Sequence, residues 1–189
     1  MNEIIMVTGN NGKYKVANDI FSKKGLNLIQ EKIETPEIQS YNVEDVSAYS
    51  AIYAAKKINK AVIKSDVGYF IPALKGFPGP FVKYINGMLT SEEILKLMEN
   101  KADRTIILKE CLTYATPTGE TKQFINEEKA TIALNAYGSG STFDRIVIFE
   151  GQELPKSMNT DEENLEHFKK SLKLYDDMAE YLKNLVQSM

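Results

Sequence analysis

The stretch Ile4-Ile5-Met6-Val7-Thr8-Gly9-Asn10-Asn11-Gly12-Lys13 decides the fold of this chain, because an apolar run changes abruptly into small polar residues and then a lysine. An uninterrupted apolar run is typical of a buried strand. Gly9 and Gly12 are expected to let the backbone turn tightly, and the predicted helix from Asn11 points its positive end at any bound anion. The stretch lacks the spacing of a Walker A loop and of G-x-G-x-x-G. It is therefore either a plain strand-turn-helix connection or an anion site to which Lys13 adds a positive charge.

Beyond this stretch, the periodicity of apolar residues predicts alternating strands and helices in the first third of the chain. The predicted elements are strand 3–8, helix 11–24, strand 26–29, helix 43–59, strand 61–66, extended chain over 69–74, a loop over 76–80, helix 90–100, strands 105–115 and 122–134, strand 143–149 and helix 161–187. The initial β-α-β-α-β order favours an α/β sheet. The strands around Pro117 form a predicted hairpin, which makes the sheet mixed. Capping boxes are predicted at Thr90 with Glu93 and at Thr160 with Glu163.

The composition restricts the class of protein. With 189 residues, of which 43% are hydrophobic and 26% charged, the chain suits a single domain over residues 1–189. A net charge of -3 argues against a nucleic-acid partner, and one cysteine with one histidine does not form a zinc site. The single Cys111 suggests a reducing compartment, and from the distribution of apolar and charged residues we expect neither a membrane span nor a signal peptide. We therefore expect a soluble, cytoplasmic protein.

Three polar clusters follow predicted strands. They are Thr8 to Lys13, Asp66 to Gly68, and Glu37. Ligands of α/β sheets gather at the carboxyl ends of strands, and Mg²⁺ binds carboxylate and phosphate oxygens together. The convergence of these clusters suggests a magnesium-dependent phosphate enzyme, although Asp66 is also suited to capping a turn and Glu37 to a solvated loop.

Four motifs resemble those of the inosine triphosphate pyrophosphatases, the non-canonical purine nucleoside triphosphate pyrophosphatases, in order and spacing. The motifs are Thr8-Gly9-Asn10-Asn11-Gly12-Lys13, Glu37-Ile38-Gln39, Ser65-Asp66-Val67-Gly68 and Ala73-Leu74-Lys75-Gly76-Phe77-Pro78-Gly79-Pro80. The resemblance implies an elongated mixed α/β sheet flanked by helices, with two lobes and a nucleotide cleft between them. It also implies a homodimer that uses Mg²⁺ to hydrolyse a nucleoside triphosphate to the monophosphate and pyrophosphate, clearing deaminated purines from the nucleotide pool.

The same resemblance implies roles for individual residues. Asp66 corresponds to the acid that binds metal and activates the attacking water, and Glu37 to a metal-binding glutamate. The positions that correspond to substrate-binding residues are Thr8, Gly9, Asn10, Lys13, Val67, Gly68, Lys83, Phe143, Asp144 and His167. Two of these have an alternative interpretation: Lys83 also suits a solvated lysine, and His167 also suits a structural role at the edge of the last helix's apolar stripe.

This chain departs from the family pattern mainly where the family recognises the base. Ser65 replaces a common second acid, and Ser141 replaces the first of two aromatic residues in the base pocket. Near the last helix, Glu163 and Phe168 stand where the family has a lysine and an arginine. The phosphate half is thus better preserved than the base half. The sequence predicts a nucleoside triphosphate pyrophosphatase with altered base preference, or alternatively a catalytically impaired relative that binds a nucleotide or a protein.

Overall fold

The computed structural model describes residues 3–160, 162–164 and 172–187. Its strands are β1 (Glu3–Val7), β2 (Asn27–Glu31), β3 (Val62–Ile71), β4 (Phe77–Gly79), β5 (Thr105–Ala115), β6 (Thr121–Ile132) and β7 (Val147–Phe149). Its α-helices of seven or more described residues are α1 (Asn11–Lys23), α2 (Val43–Ile58), α3 (Val82–Met88), α4 (Ser91–Leu97) and α5 (Leu172–Gln187). Short 3-10 helices span Pro72–Leu74 and Lys156–Met158. None of the helices in these ranges is both long and apolar enough to cross a membrane.

The strands form one mixed sheet in the order β2-β1-β3-β5-β6-β7, and β4 pairs with β3 beside this path. β1 runs parallel to β2 and to β3, whereas the β3–β4 and β6–β7 pairs are antiparallel. The predicted mixed α/β sheet is therefore confirmed. The chain divides into two compact units: residues 1–66, 110–126 and 169–189 form the first, and residues 67–109 and 127–168 form the second.

In the first unit, β1 has apolar neighbours on both faces. Ile4 and Met6 belong to a core cluster that includes Phe21 of α1 and Tyr175 of α5. The alternate residues of β1 belong to a second cluster with the alanines of α2, namely Ala51, Ala54 and Ala55. Because successive side chains leave opposite faces of a strand, a strand covered on both faces is apolar without interruption. This is the physical reason for the Ile4–Val7 run.

In the second unit, the largest buried side chains come from β3, β5, β6, α4 with the residue that follows it, and the segment that precedes β7. The fully buried members of this cluster include Ile94, Met98, Ile106, Phe143 and Ile146. The predicted capping box at the start of α4 is confirmed, since the Thr90 hydroxyl accepts from the Glu93 N–H and the Glu93 carboxylate accepts from the Thr90 N–H. The cap satisfies backbone groups that the short helix leaves free.

Three element predictions differ from the structure. The strand that contains Asp66 does not end there but joins the segment predicted as extended from Tyr69, so that β3 runs unbroken to Ile71, where Tyr69–Ile71 pairs with Phe77–Gly79 of the segment predicted as a loop. α3 is not predicted, since it contains Gly87, two β-branched residues and no cap side chain. The strand predicted over 143–149 is restricted to Val147–Phe149, because its first residues form turns.

Candidate functional site

The β1–α1 loop, residues 8–13, is organised by its own side chains. The Thr8 hydroxyl accepts a hydrogen bond from the Asn10 N–H at 3.1 Å, and the Asn10 side chain caps α1 by accepting from the Lys13 N–H at 3.0 Å. Gln30 of β2 donates to the Thr8 carbonyl at 3.1 Å. The first turn of α1 contains no acidic residue. The loop therefore presents the positive end of a capped 13-residue helix in a fixed geometry.

The two glycines of the loop do not use the backbone freedom that is special to glycine. Neither Gly9 nor Gly12 adopts the left-handed conformation, so the absence of a side chain is what distinguishes them in this structure. A Cβ at Gly12 would lie 3.2 Å from Asn10 Oδ1, the capping acceptor. A Cβ at Gly9 would meet no atom within 4 Å. Gly12 therefore leaves room for the cap, and Gly9 leaves open space beside the loop.

Lys13 contacts residues from two neighbouring strands. Its ammonium donates to Glu110 Oε1 of β5 at 3.0 Å and to Ser65 Oγ of β3 at 3.3 Å. Glu110 is buried and was not selected from the sequence. The sequence did contain an indication of its role. Glu110 shares a strand face with the apolar residues Ile106, Leu108 and Leu112, and a carboxylate that is buried on such a face needs a hydrogen-bonding or charged partner.

Asp66 lies inside β3 rather than at its end. The register pairs Ile63 with Met6, so Asp66 lies beyond the last pair of β1 with β3 and in the direction in which the β1–α1 loop leaves the sheet. Asp66 Oδ2 is 4.0 Å from the Lys64 ammonium, and only 20% of the aspartate side chain is exposed. Ser65 and Asp66 are consecutive in the strand and leave opposite faces, so the contact of Lys13 is with the face of Ser65.

The predicted metal-binding glutamate, Glu37, is half-buried in the loop between β2 and α2. Within residues 3–160, 162–164 and 172–187, no group of three or more His, Cys, Asp or Glu side chains lies close enough together to hold a metal ion. The pairing of Glu37 with Asp66 as metal ligands therefore stays a prediction.

The predicted base-binding residues lie in the second unit. Phe143 is fully buried, and its ring packs edge-on against Tyr69 with 5.3 Å between the ring centroids. Asp144 Oδ1 accepts from the Lys156 ammonium at 2.9 Å. Burial opposes ionisation of Asp144, but the Lys156 hydrogen bond and charge outweigh burial and hold the pKa of this carboxyl below its usual value. Phe143 is thus a core side chain in this structure, and Asp144 is an ionised, paired one.

Ser141 lines a cavity of about 300 Å³ in the second unit. Other lining residues are Asn86, Thr90, Ser91 and Arg145, and the Arg145 guanidinium is held by Glu92 at 3.0 Å. The lining is mainly polar and is supplied by side chains that are small or uncharged, apart from the arginine.

Three further predicted residues, Val67, Gly68 and Lys83, lie in the second unit. Val67 and Gly68 follow Asp66 within β3, and Lys83 is exposed on α3 with its ammonium 5.8 Å from the ring centroid of Tyr84. His167 lies outside the described residues. Glu163, which stands where the family pattern has a lysine, accepts from the Thr160 N–H at 2.8 Å, and the Thr160 hydroxyl accepts from the Glu163 N–H. The predicted capping box is confirmed, and it gives Glu163 a structural role.

The mixed sheet with its capped, lysine-bearing helix N-terminus defines an α/β protein with a candidate anion site. A comparison with protein-family models gives the narrower class: residues 4–174 match the model described as the Ham1 family. The chain belongs to the Ham1 family. The resemblance noted from the motifs is therefore confirmed at the level of the family.

Relatives in this family have closely similar lengths. The dITP/XTP pyrophosphatase of Methanosarcina acetivorans is 34% identical over 173 residues, which cover 91% of this chain and 94% of the relative. That of Methanopyrus kandleri is 36% identical over 152 residues, covering 80% and 81%. The solved structure of the Staphylococcus aureus Ham1 protein has the same fold, with a TM-score of 0.78 at 24% identity and coverage of 95% of this chain and 98% of that chain.

Proposed function

We propose that this protein is a magnesium-dependent pyrophosphatase of non-canonical purine nucleoside triphosphates, such as dITP, ITP and XTP. It would release the monophosphate and pyrophosphate, with a base preference altered from that of its relatives. The observation that carries the proposal is the capped β1–α1 loop with Lys13 at a helix N-terminus, in a chain whose relatives are named dITP/XTP pyrophosphatases. We also propose that it acts as a homodimer in the cytoplasm, following the family resemblance and the reducing compartment that Cys111 suggests.

In this proposal the first unit binds the triphosphate. Backbone N–H groups of the β1–α1 loop and the Lys13 ammonium hold the leaving pyrophosphate and stabilise the negative charge that develops on it. Asp66 orients a water for in-line attack on the α-phosphorus and accepts its proton. The O–P bond to pyrophosphate breaks as the bond from the water oxygen forms.

Asp66 and Glu37 are the residues that would hold Mg²⁺. Their carboxylates fit this ion, because Mg²⁺ is commonly bound by only one or two protein carboxylates together with water and substrate phosphates. Bound there, the ion supplies charge neutralisation on the triphosphate and lowers the pKa of a coordinated water. A cluster of three protein acids is not required for this chemistry.

Residues of the second unit would complete the substrate site. Phe143, Asp144 and His167 remain the proposed contacts near the base, Lys83 is a further proposed phosphate contact, and Val67 and Gly68 are proposed substrate contacts beside Asp66. The altered preference is proposed because Ser141 offers no ring for stacking, and because Glu163 is engaged in a capping box where the family pattern has a lysine. The last observation also favours the second candidate, a catalytically impaired relative that binds a nucleotide or a protein partner.

The test is pyrophosphate release by the purified protein with MgCl₂, using dITP, ITP, XTP and the standard nucleotides in parallel. We expect turnover of at least one purine triphosphate, and a loss of at least about 100-fold in Asp66→Asn, since a carboxylate that accepts a proton contributes on this scale. Asp19→Asn, an exposed carboxylate on α1, is the matched control and should be as active as the wild type.

Two results would reject the proposal. Undiminished hydrolysis by Asp66→Asn would remove the assigned catalytic residue. Absence of pyrophosphate release from every nucleotide by folded protein would remove the enzymatic function. In the second case, thermal stabilisation by a nucleotide without turnover would support the binding relative, because a ligand that binds only the folded state raises the unfolding temperature.

A further inference from the structure

The Lys13 ammonium is held in place within the first unit by two strands that lie side by side. β3 supplies the Ser65 hydroxyl at 3.3 Å, and β5 supplies the Glu110 carboxylate at 3.0 Å. An ammonium has three N–H donors. Two of them are directed at these acceptors, which fixes the direction of the third.

Glu110 is itself held by a buried side chain, Tyr175. Glu110 is 8% exposed, and the same Oε1 that accepts from Lys13 also accepts from the Tyr175 hydroxyl at 3.1 Å. Tyr175 is fully buried on α5. Burial, reinforced by the Glu110 charge, raises the pKa of Tyr175 well above its usual value, so the hydroxyl remains a donor. Glu110 is thus oriented by a donor that does not titrate near neutral pH.

Neither stability nor anion affinity explains a carboxylate at this position. A buried ion pair is commonly no more stabilising than apolar residues of similar volume, because desolvation offsets the attraction. A negative charge 3.0 Å from Lys13 also weakens the attraction of the loop for a triphosphate. The contacts with Glu110 and Ser65 instead hold the long Lys13 side chain, which otherwise has many rotamers, in one position.

We propose that Glu110 is a positioning residue for Lys13: it holds the ammonium against Ser65, so that Lys13 meets the phosphate chain in one orientation. This rests on the proposed function of the β1–α1 loop. In this arrangement the Glu110 charge lowers the affinity for free triphosphate, and the fixed position of the Lys13 ammonium stabilises the transition state. It therefore predicts a separation of kcat from KM that a purely structural role would not produce.

The direct test is Glu110→Gln, which keeps the size of the side chain and an acceptor oxygen. We expect kcat to fall about tenfold from lost orientation, while KM stays unchanged or decreases because the opposing charge is gone. Glu127→Gln is the matched control, since Glu127 pairs with Lys109 at 2.8 Å and is largely exposed. The control should retain both kinetic constants. An unchanged kcat in Glu110→Gln, or a higher KM with kcat unaltered, would overturn the proposal.

A rescue variant separates positioning from folding. Ser65 contacts the same ammonium, so Ser65→Asp combined with Glu110→Gln supplies a carboxylate from β3 instead of β5. We expect this double variant to regain kcat to within about threefold of the wild type, a difference below 1 kcal/mol. If Glu110→Gln does not fold, Glu110→Asp replaces it: the charge remains but the reach is shorter, and kcat should still fall. Failure of the rescue in a folded protein would contradict the positioning role.

Failure of the proposed pyrophosphatase activity can be distinguished from failure of the positioning role of Glu110. The measurement is the binding of inorganic tripolyphosphate without metal, followed by calorimetry. If the wild type hydrolyses no nucleotide, the proposed function fails, and this binding then tests Glu110 alone. We expect Lys13→Gln to lose affinity and Glu110→Gln to gain at least about threefold, because the pair no longer neutralises the lysine. Equal affinity of the wild type and Glu110→Gln would overturn the inference.

Discussion

At the scale of single residues, Ser141 bears most directly on the proposed base preference. Its hydroxyl accepts from the Asp144 N–H at 3.3 Å, and its side chain lines the cavity of about 300 Å³. A phenyl ring at this position has space on the cavity side. The neighbouring Phe143 is buried against Tyr69, so its ring does not replace the missing one in this structure.

We predict that Ser141→Phe lowers KM for purine nucleoside triphosphates by about fivefold to 100-fold, because stacking of a base on an aromatic ring contributes about 1 to 3 kcal/mol. The measurement is steady-state pyrophosphate release with ITP and with a pyrimidine triphosphate. Ser141→Ala is the control, since it removes the hydroxyl without adding a ring. A KM for ITP equal to that of the control would show that position 141 does not face the base.

The residue types of the β1–α1 loop indicated that Lys13 belongs to a candidate anion site, but they did not indicate which side chains contact Lys13. Lys13 was predicted from its place after a strand and a glycine turn, which are adjacent in sequence. Its partner Glu110 is 97 residues away, and only the sheet order, with β3 beside β5, brings the two together. Ser65 appeared in the sequence only as a lost acid, whereas in the structure its hydroxyl contacts Lys13.

At the scale of secondary-structure elements, the Asn10 cap joins the stability of α1 to the proposed phosphate site. The same side chain that accepts from the Lys13 N–H is a proposed substrate contact. An aspartate at position 10 would keep a capping oxygen, because Asp and Asn are similarly good N-caps. It would also place a negative charge where the triphosphate binds.

We predict opposite effects for two variants of this cap. Asn10→Ala should lower the melting temperature by about 2 to 4 °C, as expected for the loss of about 1 kcal/mol in a chain of this size. Asn10→Asp should melt within about 1 °C of the wild type, because the cap is kept, but should raise KM for dITP at least about tenfold by repulsion. Thermal unfolding and pyrophosphate release measure the two effects. A KM unaltered in Asn10→Asp would place the phosphates elsewhere.

Elements with a strong local pattern were predicted closely, and those that depend on distant pairing were not. β1, α1 and α2 follow from an apolar run, a glycine stop and an alanine-rich helix. The continuity of β3 through Asp66 and the presence of β4 did not follow, because both depend on pairing that requires the Gly76–Pro80 segment to fold back. α3 was missed because its residues are weak helix formers that are held by their surroundings.

At the scale of the whole molecule, the two compact units have separate cores and separate proposed tasks. Asp66 is the last residue of the first unit and Val67 the first residue of the second. The mixed α/β sheet and the family could be predicted from the sequence, since both depend on motifs with fixed spacing. The resemblance also implied two lobes, but not which residues belong to each unit, because β3, β5 and β6 each contribute residues to both units.

In the proposed reaction, water attacks the α-phosphorus of a non-canonical purine triphosphate. The decisive measurement is hydrolysis of dITP by the wild-type protein with MgCl₂ in water enriched in ¹⁸O, with the masses of the products determined by mass spectrometry. We predict ¹⁸O in the nucleoside monophosphate and none in the pyrophosphate, because the new bond forms at the α-phosphorus. Label in the pyrophosphate, release of inorganic phosphate with dIDP, or intact dITP in the presence of folded protein would contradict the proposed reaction.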